Sequence, residues 1–328
     1  MKIFLRAVCA CVCVFLIVII AFQPEIYLKS AFAGIKLWAT VVLPSLLPFF
    51  FLTTLASSLG ITSAIAKLLG KPFSILFRQS GVCSYAFLMS VLSGYPIGAK
   101  IIADLKENGL ITADEATRAG ALCSTSGPLF IVGSVGVGMF ADKRAGALIL
   151  VSHILAACVC GLIFRLYGKS KPSAAKPLAV KPKVDNILYD CAYSAVISVA
   201  VVGGFICVFF VLSDVFYNFR LLLPIELLLK PLIGGQLAQG VALGTIECTR
   251  GCLTLSAAGI NRLSLSLSCA LVSFGGLSVV IQSLAFLGKA KANAGIFVLS
   301  KILQSVVGFI ICFLLFPVFN FQPAAGVI

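Results

Sequence analysis

The chain has 328 residues, 60% hydrophobic and 11% charged, with a mean hydropathy of +1.13. Soluble chains carry about a quarter charged residues, so a water-soluble globule is excluded and an all-α polytopic membrane protein is predicted. The net charge of +14 falls mainly in short loops, as topology-setting Lys and Arg do, and no folded extramembrane domain is left to carry a nucleic-acid surface.

In chain order, Lys2 and Arg6 precede the apolar run 7–22. The following QPEIY has no small-x-small cleavage site, and Ala31-Phe32-Ala33 lies beyond Glu25 and Lys29, so an uncleaved first span is predicted. Full spans are predicted at 3–22, 37–59, 119–140, 146–166, 190–213, 264–287 and 293–316. Residues 61–79 have helical spacing but carry Lys67, Lys71 and Arg78, which predicts an interfacial amphipathic helix. Segments 82–101 and 236–255 are apolar but interrupted, and are read as re-entrant hairpins. The charged piece ADLKENGLITADEATRAG reads as helix–turn–helix, with its turn at Asn108-Gly109 and a capping box from Thr112 to Glu115. Residues 168–186, rich in Lys and Pro, form a solvated linker.

The linker separates halves that resemble each other. At an offset of 148, Gly127 and Leu129 match Gly275 and Leu277, Lys143 matches Lys291, and Ser152-His153-Ile154-Leu155 matches Ser300-Lys301-Ile302-Leu303. Lys71-Pro72 pairs with Lys230-Pro231, and SGYPIGAK falls against GTIECTRG. With the interrupted segments returning to their own side, 16 Lys and Arg lie inside and eight outside. That bias puts the N-terminus in the cytoplasm, and three crossings per repeat make the repeats inverted. The predicted organisation is an N-terminal span (1–30), a first repeat (31–167), the linker (168–186), a second repeat (187–317) and a tail (318–328).

Four helix breaks carry the candidate chemistry. Irregular backbone survives in a membrane only where protein or a cavity covers it, and half-helix N-termini meeting there favour an anionic group. The candidate substrate residues are Gly94, Tyr95, Pro96 and Gly98 in the first break, and Ser124, Thr125, Ser126, Gly127 and Pro128 in the second. Glu247, Thr249, Arg250 and Gly251 form the third, and Ser273, Gly275 and Gly276 the fourth, with Gln282 and Lys301 from the spans that follow. An acid in an apolar segment costs about 3 kcal/mol on insertion scales, so Glu247 is read as a substrate or H+/Na+ coupling residue. The alternative is an ion pair with Arg250, three residues on. Lys301 and its match His153 are expected to meet Glu247 or a substrate carboxylate; the alternatives are a carbonyl for Lys301 and an ordinary helix hydrogen bond for His153.

The thirteen cysteines are scattered without C-x-x-C spacing, and His153 is the single histidine, so no metal site is expected. No G-x-S-x-G and no phosphate loop ending in Gly-Lys-Ser/Thr occurs, and neither enzyme activity nor a cofactor is expected.

SGYPIGAK, NGLITADEA, SGPLFIVGSVGVGMF and Glu247-Cys-Thr-Arg-Gly resemble the YlbJ-type sporulation integral membrane proteins, within the group carrying the nucleoside recognition (Gate) domain. The resemblance covers about residues 35–316; where that family often has asparagines before SGPLF, Ser124-Thr125 stand here. It implies a spore-forming bacterium, a multi-pass protein of the cell membrane or outer forespore membrane, and passage of dipicolinate into the developing spore. Concentrative nucleoside transporters are similar in layout, with inverted repeats that each hold a re-entrant hairpin and a broken span. The leading expectation is a secondary carrier of a small organic anion working by alternating access. Alternatives are a nucleoside or metal-ion permease, or a non-transporting scaffold that docks partners through residues 102–118. Expected partners are the organic anion, a coupling ion, the lipid bilayer and a further copy of the chain.

Overall fold

A computed structural model describes residues 2–168 and 186–321; the linker (169–185) and most of the tail (322–328) lie outside them. Among the described residues every regular element is helical. Helix α1 (Lys2–Phe22) is followed by α2 (Pro24–Leu37), which passes through a π-helical turn (Trp38–Val42) into α3 (Leu43–Ser58). These last three make one continuous rod of 35 residues, about 50 Å long at 1.5 Å per residue. Then come α4 (Ile61–Phe77), α5 (Cys83–Ser93), α6 (Ile97–Glu107), α7 (Ala113–Leu122), a π-helical segment (Leu129–Met139) and α8 (Lys143–Phe164). After the linker the chain forms α9 (Ile187–Asn218), α10 (Leu223–Ile233), α11 (Gly235–Ile246), α12 (Cys248–Ser256), α13 (Arg262–Phe274), α14 (Gly276–Lys289) and α15 (Ala294–Leu315).

Among the described residues, five stretches are long and apolar enough to cross a membrane: 24–58, 143–164, 187–218, 262–289 and 294–319. Two predicted spans differ in detail. Residues 119–140 are no single rod: α7 stops at Leu122, residues 124–127 leave the helix at the break the sequence marks, and the path resumes as π-helix. Residues 264–287 are cut at Gly275, whose φ of 87° ends α13. The capping box is present, with Thr112 accepting from Glu115 N and Glu115 accepting from Thr112 N. Glu115 is buried and also accepts the Ser80 N–H at 2.9 Å, so the same carboxylate fixes α7 against the α4–α5 turn.

The order of elements repeats across the linker: long rod, short helix, helix–break–helix, helix–break–helix, long helix. Contacts between the halves are reciprocal. Helix α6 packs on α14, and its counterpart α12 packs on the π-helical segment; α7 packs on α15, and α13 on α8. The central helices α8 and α15 pack on each other, as do the rods α2–α3 and α9. Each half thus packs its corresponding elements on those of the other. The core follows it, since one cluster joins Ile131, Val135 and Leu148 to Cys252, Leu265 and Val272. One asymmetry stands out: α4 buries Phe73 and Phe77, whereas α10 buries none of its residues.

Candidate functional site

All four sequence breaks are real interruptions, and they meet. In the first, Gly94 (φ 77°) ends α5, and a cis Tyr95–Pro96 bond leads into α6. Glycine tolerates the left-handed backbone and proline has no N–H for the helix ladder, so the chain must leave α-geometry there. Within the first half this break abuts the second: a Cβ on Gly94 would lie 2.8 Å from Gly127 N. The second half repeats the arrangement, with a Cβ on Gly276 falling 3.0 Å from both Cys248 N and Ile246 O. The third break is a single extended residue, Glu247 (φ −138°, ψ 113°).

Across the halves the breaks are joined by side chains from the central helices. His153 on α8 accepts the Ser126 N–H at Nε2 (2.9 Å) and meets Ser273 Oγ through Nδ1 at 2.9 Å. Lys301 on α15, its match in the repeat, donates to Ser124 O at 2.7 Å and to Gln304 Oε1 at 2.9 Å. The Tyr95 hydroxyl reaches Val272 O at 3.4 Å, and its ring centre lies 5.9 Å from Lys301 Nζ. Each half thus extends one basic side chain onto a break of the other. Neither base meets Glu247: of the readings the sequence offers, the carbonyl holds for Lys301 and a hydrogen-bonded ring for His153.

Glu247 is buried and caps α12: Oε2 accepts Arg250 N–H at 2.7 Å, and Oε1 accepts the Thr249 hydroxyl at 2.9 Å. An anion on a helix N-terminus meets orphan amides and the positive end of the dipole. The alternative ion pair with the Arg250 side chain is not formed. That guanidinium pairs instead with Asp214 on α9, donates to Phe210 O at 2.8 Å, and lies 5.3 Å from the Phe210 ring centre. Asp214 also accepts from Ser30 on α2. Removing Asp214 strands a guanidinium that is 19% exposed. Asp214→Ala should therefore cost about 2–3 kcal/mol, less than a fully buried pair. Detergent melting curves test this, and Asp214→Ala with Arg250→Met should recover most of the loss, since coupled groups are not additive.

The first three breaks line a cavity with about 60 Å³ open to the centre of a water molecule, room for about four waters. Of the predicted residues, Gly94, Tyr95, Ser126, Gly127, Glu247, Thr249 and Gln282 line it. Sequence reasoning missed the polar Ser93, Cys248 and Ser278, and the apolar wall of Leu46, Phe50, Phe130, Val202, Phe205, Ile206 and Val279. The rest stand behind the lining. Thr125 is tied to Ser90 (Oγ–Oγ 2.8 Å), and Ser124, Ser273 and Lys301 make the cross-half bonds above. Arg250 faces α9, and Pro96, Gly98, Pro128, Gly251, Gly275 and Gly276 shape the backbone without lining the space. Ser93, the first residue of the SGYPIG break, is legible by position; the α9 wall is not, because its apolar residues read like lipid-facing ones.

The cavity has one formal charge, Glu247, and no lining cation. The sequence is 29% identical over 318 residues to the "Sporulation integral membrane protein YlbJ" of Bacillus subtilis (strain 168), a match covering 89% of this chain and 78% of that protein. This is a multi-pass membrane protein similar over most of its length to a membrane protein of sporulation. No protein-family model matches the chain, and no solved structure matches it significantly.

Proposed function

We propose that the protein is a secondary transporter of a small organic anion in sporulating cells, with dipicolinate as the first candidate. Its two halves act as inverted repeats that rock about the α8–α15 contact. The observation that carries this reading is the convergence of three helix breaks on one cavity, two from the first half and one from the second, with the fourth packed against the third. Non-helical backbone at such a place is the construction used to bind solutes inside membranes. At about 60 Å³ the cavity is closed down, far below the several hundred Å³ of an ordinary small-molecule pocket. Substrate entry therefore requires the halves to part.

A carboxylate-bearing solute would be held by backbone amides at the starts of the π-helical segment and α14, since the α12 terminus is already answered by Glu247. Glu247 would then have to be protonated or accompanied by a cation, because two buried carboxylates repel. The same charge pattern favours a second reading, a neutral hydroxyl-rich solute such as a nucleoside donating to Glu247 and accepting from Ser278, Thr249 and Gln282.

Uptake of labelled dipicolinate and of uridine into proteoliposomes, with and without a proton or Na+ gradient, separates these readings. Glu247→Gln and Gly127→Leu should insert normally and lose at least tenfold in uptake. Gly127→Leu would push a side chain towards Leu92 O and Gly94 N, at 3.1 and 3.3 Å from its Cβ. Wild-type uptake of both solutes no faster than empty vesicles would end the transporter reading. A scaffold acting through residues 102–118 would instead lose function on deletion of that loop and tolerate both substitutions.

A further inference from the structure

The neutral bridge between the halves has a donor–acceptor pattern that a proton would destroy. The backbone N–H of Ser126 can only donate, so His153 Nε2, 2.9 Å away, must be the bare nitrogen. The ring proton then sits on Nδ1 and points at Ser273 Oγ, 2.9 Å away. A second proton would turn Nε2 into a donor facing the Ser126 N–H, with no acceptor for either. Ser126 lines the cavity, and Ser273 belongs to the break of the other half.

The surroundings offer an imidazolium no compensation. His153 is fully buried, and Lys301 on α15 is the one charged side chain acting on it among the described residues. The other titratable groups on α8 and on the segments about it are the Tyr95 phenol, its ring centre 5.9 Å from Lys301 Nζ, and the thiols of Cys269 on α13, Cys160 on α8 and Cys123 at the end of α7. The nearest charge is thus a like charge, and the carboxylate of the cavity, Glu247, is committed to α12.

We propose that His153 is the proton-coupling site of this protein: the closed cavity admits only the neutral Nδ1–H ring, and proton uptake at Nε2 accompanies release of Ser126 and opening between the halves. The proposal deepens the transporter reading and rests on it for its purpose, but the linkage is a property of the protein alone. A ligand that binds one of two conformations shifts the population towards it. Below the ordinary histidine value of about 6.5, the open fraction should rise up to tenfold per pH unit.

His153 is the single histidine, so imidazole 15N resonances of the histidine-labelled chain, purified without a histidine tag, report this ring alone. The comparison variant is His153→Gln, whose amide can still accept from Ser126 N–H and donate to Ser273 Oγ but takes up no proton. Labelling of the cavity thiol Cys248 by a small maleimide, read by peptide mass spectrometry, measures opening. The ratio of wild type to His153→Gln cancels the thiol's own pH dependence. The expected result is a neutral Nδ1–H signal at pH 8 that gives way to imidazolium below about 6.5, lower by one pH unit for every tenfold excess of the closed form. The labelling ratio should climb about tenfold per unit below about 6.5 until imidazolium dominates. A labelling ratio that does not rise between pH 6.5 and 4.5, or a ring that titrates while the ratio stays flat, overturns the proposal. Both results are independent of whether dipicolinate or uridine is carried, so failure of the uptake assay and failure of this linkage are told apart.

Discussion

Gly98→Ala is expected to abolish the stable fold of the first hairpin. Its Cβ would fall 2.0 Å from the Cys123 carbonyl oxygen and 2.7 Å from Ser90 Cβ. The first is backbone at the end of α7, and Ser90 is held by the same carbonyl through a 2.6 Å hydrogen bond. Neither can withdraw without dismantling the Ser90–Thr125 anchor beneath the second break. Overpacking a well-filled core costs typically 1–3 kcal/mol, and contact with fixed backbone lies at the upper end or beyond. Detergent-solubilised Gly98→Ala should show a fall in melting temperature of ten degrees or more, or recovery only as aggregate. Gly288→Ala, whose Cβ meets nothing within 4 Å, should melt like the wild type. Equal melting of the two variants would mean that the α5–α6 hairpin does not cross Cys123 as described.

Lys301→Met is expected to behave in the opposite way, keeping stability and losing function. The ammonium is fully buried with two neutral acceptors and no carboxylate partner among the described residues. An unpaired buried charge is costly, and an apolar side chain of similar length is often neutral or stabilising in its place. The Ser124 carbonyl loses a donor, which offsets part of that gain by about 1–3 kcal/mol. The Gln304 amide, whose Nε2 has no partner, can turn to supply the missing donor. The melting temperature should stay within a few degrees of wild type or rise, while uptake falls at least tenfold. A strong fall in both, restored together by a stabilising substitution elsewhere, would reduce Lys301 to a structural post.

What the sequence made legible follows from local chemistry. Gly94-Tyr95-Pro96, Gly127-Pro128 and Gly275-Gly276 announce breaks because glycine and proline act on their own backbone, whatever surrounds them. The Thr112–Glu115 box is equally local and was read correctly. The amphipathic segment 61–79 appears as α4, and the interrupted segments 82–101 and 236–255 as the helix pairs α5–α6 and α11–α12.

What stays hidden lies where the partner is distant in the chain. Helical spacing offers Arg250 as an alternative mate for Glu247, yet Arg250 pairs with Asp214, 36 residues from it, because α9 presents Asp214 beside α12. Lys301 meets a carbonyl, as one of its two sequence readings has it, but which carbonyl leaves no mark in a sequence. The break inside span 119–140 is legible from Gly127-Pro128, but its extent is not, because hydropathy averages over the residues that leave the helix. The π-helix at 129–139 has no residue signature beyond its glycines.

The unequal pair at the centre has a further consequence. If both matched positions held lysine, two ammonium groups would share one buried layer and repel; if both held histidine, the two cross-half bridges would be alike and neither would carry charge. With one of each, the bridge from α15 runs from an amine to two neutral oxygens, and the bridge from α8 from an imidazole to a backbone amide and a hydroxyl. Under the transport reading proposed above, the two bridges would break at different cost and give the halves an order of opening. Swapping His153 and Lys301 would, on that reading, reverse the order.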